Sequence, residues 1–118
     1  MISTSLQSDA HQLIIYDLAI RTLNYDLPKI EALKTSVIFQ EVSEKMLKEL
    51  YQNYYPLKNR LQKQGIAIVK WQHIDLFFSD VILKTSGEDV SIRYAKKVLQ
   101  YDVERLIRQQ LMKLEYRG

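Results

Sequence analysis

The sequence predicts a mainly α fold, a small helical bundle with a long C-terminal helix. Three observations predict it. Apolar residues recur at spacings of three and four through separate stretches, the signature of one buried helical face. Glycine occurs three times and proline twice in 118 residues, too few breakers for a loop-rich chain. Neither interrupts residues 91–117. The alternative is an α+β fold with a small antiparallel hairpin within 66–95. Either way the expectation is one domain over residues 1–118.

Residues 1–8 are small and polar and are expected to fray. Asp9 precedes Gln12 by three, a capping-box-like start. Leu13, Tyr16, Ile20, Leu23 and Leu27 then follow one stripe, widened by Ile14 and Leu18, giving a helix over 9–25. Asp26-Leu27-Pro28 reads as a break, after which Ile30 and Leu33 support a short helix to about 34. Thr35 or Ser36 can cap the next helix. Its stripe is Phe39, Val42, Met46, Leu50 and Tyr54, marking 36–54.

Pro56 leaves two readings open. Either a kinked helix runs over 36–64, or a new short helix begins at Pro56 and carries Leu57 and Leu61. Gly65 stands where a left-handed C-terminal glycine belongs. Residues 66–71 are rich in β-branched side chains and read as extended. Beyond them, Ile74, Phe77, Phe78 and Val81 have helical spacing. Val81-Leu83-Thr85 and Val90-Ile92-Tyr94 instead alternate as two strands around Ser86-Gly87-Glu88-Asp89. The helical reading is favoured, because a serine with an acid three residues on is a helix start. The last helix is expected over 89–115, with Ala95, Leu99, Val103, Leu106 and Leu111 on its apolar face. Such a helix would be about 40 Å long.

Composition narrows the function classes. Seventeen basic against 14 acidic residues give a net charge of +3, mild enough for local balance. The chain lacks cysteine, which removes disulfides, thiolate nucleophiles and sulfur-ligated zinc. The N-terminus has no signal-peptide pattern, and no apolar stretch is long enough to span a bilayer. The expectation is a cytoplasmic protein without a membrane partner.

Gly65, Gly87 and Gly118 are too far apart for a phosphate-cradling loop. His73 and Asp75 share a face only on a strand, so the favoured helix argues against a metal pair. His11 reads as a solvated first-turn residue. Ser79 beside Asp80 sits in no nucleophile elbow. Glu41 with Glu44, and Glu88 with Asp89, read as acids at helix N-termini. No catalytic, cofactor-binding or metal residues are assigned, and no cofactor is expected.

What remains is binding. Lys58, Arg60 and Lys63 form one basic cluster within 58–63. Arg93, Lys96 and Lys97 begin another that extends to Arg105 and Arg108, within 93–108. Trp71 and several tyrosines lie near the first in sequence. Basic side chains interleaved with aromatics can hold a nucleic-acid backbone and stack bases. If the hairpin reading holds, LKNRLQKQG and the segment after it resemble a recognition helix leading into a wing, over the middle third of the chain. The expectation placed first is a non-enzymatic helical interaction or regulatory module acting on a protein partner or on itself. A nucleic-acid-binding regulator using the two clusters is second.

Overall fold

Strand alternation, not the capping signal, decides the middle of the chain. The computed structural model describes residues 4–31 and 36–117, with side chains at 4–25 and 40–114. The fold is α+β, which corrects the mainly α expectation. Its elements are α1 (Thr4–Glu31), α2 (Ser36–Lys63), β1 (Ala67–His73), β2 (Phe78–Lys84), β3 (Val90–Ala95) and α3 (Lys96–Arg117). The strands form one antiparallel sheet in the order β1-β2-β3.

The helix expected at 74–81 and the helix start at 89 are both absent. Phe78 onward is strand, and Leu83 pairs with Val90 across the β2–β3 turn. Ser86-Gly87-Glu88-Asp89 lies in that turn. Thr85 organises it, accepting a bond from Gly87 N and donating to the Glu88 carbonyl. Serine and acids serve a turn as well as a helix cap. That double use is why the cap signal misled.

A β-bulge between Ile68 and Lys70 sets what the sheet presents to the helices. Simple alternation would place Ile68 and Trp71 on opposite faces. The bulge brings both to the helix-facing side, where Trp71 is aligned with Val81 and Ile92, and Ile68 with Leu83. The outer face carries a polar row. There the Asp80 carboxylate accepts two bonds from its cross-strand partner Arg93, at 2.9 and 3.2 Å, and one from Ser91.

Helix α1 starts at Thr4, inside the segment expected to fray, and runs through Asp26-Leu27-Pro28 to Glu31. The expected break is therefore missing. Residues 32–35, which hold the end of the expected short helix and the Thr35 cap, lie outside the described residues. Helix α2 also continues through its proline, Pro56. An interior proline costs about 3 kcal/mol. Burial of Leu57 and Leu61 just beyond it holds the helix together. At its end Gly65 adopts φ 79°. Ile66 N bonds Leu61 O and Gly65 N bonds Gln62 O, a Schellman closure.

Helices α1 and α2 are antiparallel, as shown by Asp9 with Arg60 and Asp17 with Tyr54. Ile15, Ala19, Ile20, Leu23, Met46, Leu47, Leu50, Leu99 and Val103 form one core among the three helices. Leu13, Ile14, Leu57, Leu61, Val81 and Leu83 belong to a second, between helices and sheet. Tyr16, Tyr54, Trp71 and Tyr94 pack against both cores and join them.

One core position is mismatched. Gln110 is 2% exposed, and its Oε1 has no hydrogen-bond partner among the described residues. A buried unsatisfied carbonyl costs about 1–3 kcal/mol. Gln110→Leu is expected to raise the urea midpoint at unchanged m-value, by about 1 kcal/mol of stability.

Candidate functional site

The end of the sheet where β1, β2, β3 and α3 meet presents an apolar tip. Residues 74–77 connect β1 to β2. Leu76 and Phe77 are 83% and 66% exposed, and Phe78 beside them is also exposed. A run of exposed large apolar side chains is unusual on a solvated surface unless it binds something. The tip is well braced. Asp75 Oδ1 accepts bonds from Phe77 N and Phe78 N, both 2.8 Å. Phe78 O accepts from Ile74 N and Asp75 N, and Phe77 O accepts from Lys96 N at 2.8 Å. These bonds fix the backbone while leaving Leu76 and Phe77 outward.

Next to the tip lies a groove of about 520 Å³ between α1, α3 and the sheet. Leu18, Trp71, Leu99, Val103 and Ile107 supply its apolar lining, and Lys96 and Glu104 are among its polar residues. Lys96 thus touches both features: its backbone N–H holds the tip and its side chain borders the groove. Lys96 Nζ donates to His73 Nδ1 at 2.7 Å. His73 therefore faces a lysine rather than Asp75, whose carboxylate is occupied by the tip backbone. Among the described residues no group of three or more His, Asp or Glu is placed to hold a metal ion.

Three carboxylates anchor polar contacts that the sequence did not reveal. Asp17, on α1, accepts from Trp71 Nε1 at 2.9 Å, Tyr54 OH at 3.3 Å and Arg21 Nε at 2.8 Å. Asp80 holds Arg93. Asp102 lies 3.6 Å from His11 Nε2, while His11 Nδ1 is 3.0 Å from Tyr94 OH. His11 also stacks on the Tyr94 ring. It thus ties α1 to β3 and α3 rather than being merely solvated. A shallow cleft of about 380 Å³ opens beside it, with Arg105 and Gln109 among its lining.

The environment shifts several of these groups. The hydrogen bond from Arg93 holds the Asp80 carboxyl below the usual carboxylate range. Backbone N–H groups, first that of Phe77, do the same for Asp75. Burial, then the adjacent Asp17 carboxylate, pushes the Tyr54 hydroxyl up to about 12. Burial also raises Tyr16 and Tyr94. A folded state that binds the phenolic proton more tightly is stabilised fully below the unfolded value of 10.0. Stability is therefore expected to fall as pH rises from 10 towards 12. Tyr54→Phe should make this fall shallower in urea unfolding at alkaline pH.

The structure separates the residues singled out by sequence. Lys58 sits over the Tyr54 ring, 5.6 Å from its centroid. Arg60 pairs with Asp9 at 3.3 Å. Lys63 is exposed in the last turn of α2, where a cation suits the helix dipole. Trp71 is half-buried, with its indole N–H directed to Asp17. Arg93 is engaged with Asp80 on the outer sheet face, whereas Lys96 is at the tip and groove. Lys97 is exposed beside Lys96. Lys96 lies beside the apolar tip, with Lys97 next to it in the chain, and Arg93 is near enough to act on the Asp75 carboxylate.

Sequence reasoning missed Leu76 altogether and placed Phe77 and Phe78 on a helix. Its available signal was the uninterrupted Leu76-Phe77-Phe78 run, which a half-buried strand cannot hide on one face. Among the described residues no helix is long and apolar enough to cross a membrane. No curated protein and no solved structure matches the chain. A family model described as YhjD protein matches residues 1–115, and the chain belongs to that family.

Proposed function

We propose that the protein is a non-enzymatic interaction module, docking through the tip of Leu76 and Phe77 and the groove beside it. The observation that carries this reading is the exposure of both side chains on a backbone braced by hydrogen bonds. A rigid apolar protrusion loses little conformational freedom on binding. Aromatic side chains of this kind dominate the energetics of interfaces. The cysteine-free composition suits work in a reducing compartment such as the cytoplasm.

Nucleic-acid binding has less support. Arg60 and Arg93 are occupied by carboxylates, and Trp71 is half-buried with its indole N–H held by Asp17. The test is capture on immobilised protein combined with sedimentation. Wild type should bind a protein, either another chain or itself. The Leu76→Ser, Phe77→Ser double variant should keep its circular dichroism and lose that binding. A strictly monomeric wild type that captures nothing contradicts the reading.

A further inference from the structure

We propose that the groove is filled by the tip of a second copy of this chain, so that two copies exchange tips about a twofold axis. This rests on the interaction reading above and names the partner. A twofold interface must be self-complementary, because each patch meets its own duplicate. Here one end of the molecule carries both halves of such a contact. Leu76 and Phe77 protrude, and the groove lined by Leu18, Trp71, Leu99, Val103 and Ile107 recedes. Lys96 contacts both, so the two halves are neighbours. At about 520 Å³ the open groove has room for the two tip side chains. The tip cannot turn back into its own groove, since Asp75, Phe77 O and Phe78 O fix its backbone.

The charges agree. Lys97, next to Lys96 in the chain, is exposed and has no partner among the described residues. Glu104 lines the groove and is exposed, with only the Gln100 amide on its carboxylate. Tip exchange brings Lys97 of each copy towards Glu104 of the other, and one pairing becomes two by symmetry. The bulge and Lys70 on the β1 edge disfavour the competing route, strand addition at that edge. A lipid surface is a poorer occupant. Asp75 is exposed within the tip and would have to enter the bilayer as a charge.

The experiment is sedimentation equilibrium of the full chain over micromolar concentrations, with circular dichroism of each variant. Wild type is expected to move from monomer to dimer. Phe77→Ser should weaken association at least ~30-fold, the effect of removing a central aromatic anchor. Lys97→Glu and Glu104→Lys should each weaken it about threefold or more, and the double variant should recover it. A wild type that stays monomeric overturns the exchange. So does a dimer that survives Phe77→Ser, or a double charge variant no better than the singles. Capture on immobilised protein, run on the same samples, separates the two failures. Phe77-dependent capture of another protein by a monomeric chain ends the dimer and leaves the interaction reading intact. No capture at all ends both. Phe77-dependent pelleting of a monomeric chain with anionic vesicles assigns the tip to lipid and likewise overturns the exchange.

Discussion

Trp71→Ala will lower stability by about 3–5 kcal/mol, the range for removing a large aromatic from a packed site. Trp71 belongs to neither core alone. It packs against the residues among the helices and against those under the sheet. Its indole N–H also gives Asp17 one of three hydrogen bonds. Alanine would open space at the junction and leave a nearly buried carboxylate short of a donor. Trp71→Phe separates these effects. The ring remains, the N–H is lost, and the cost should fall to about 1–2 kcal/mol. Urea unfolding followed by circular dichroism measures both variants. A loss below about 1 kcal/mol for alanine would mean that the aromatic seam does not join the cores.

Leu83→Ala will cost about 2–5 kcal/mol and will loosen helices and sheet together. Leu83 is 0% exposed on the central strand, within the core that also contains Leu57 and Leu61 of α2. Removing a fully buried leucine side chain loses its transfer free energy and leaves a cavity. The seam of Tyr16, Tyr54, Trp71 and Tyr94 couples this core to the other. Helical circular dichroism and Trp71 fluorescence should therefore report one shared, lowered midpoint. Two separate midpoints would show that the sheet melts independently.

The helices were legible because their information is local. The 3.6-residue stripe through Leu13, Tyr16, Ile20 and Leu23, and the C-terminal Gly65, point to one face and one stop. Pro28 misled, since α1 runs through it. At Pro56 the reading of a helix over 36–64 is the one that α2 follows, its local cost offset by burial of Leu57 and Leu61. The sheet was harder to read. Ser86 and Asp89 fit a helix cap and a hairpin turn equally well, and only pairing of Leu83 with Val90 decides between them. The bulge at Val69 shifts the two-residue period, which unbroken would have put Trp71 on the face opposite Ile68.

The candidate site was legible only in part. Lys96 and Lys97 were named from charge, and Lys96 lies beside the tip with Lys97 next to it in the chain. Leu76 and Phe77 were not, because exposure depends on the fold around a side chain rather than on its type. Arg60 and Arg93 illustrate the same limit. Their partners, Asp9 and Asp80, are far away in sequence or hidden by strand register. Asp17 is the clearest case. Nothing near it in the chain announces that Trp71 and Tyr54 will converge on it.

Amide hydrogen exchange at low and high protein concentration tests the central claim most directly. At high concentration, protection is expected to rise together at the tip, residues 74–78, and along the start of α3 at the groove, residues 96–104. The outer sheet face around Arg93 should not change. Protection that is independent of concentration at both segments, or that rises at the outer sheet face instead, would contradict docking through the tip and groove.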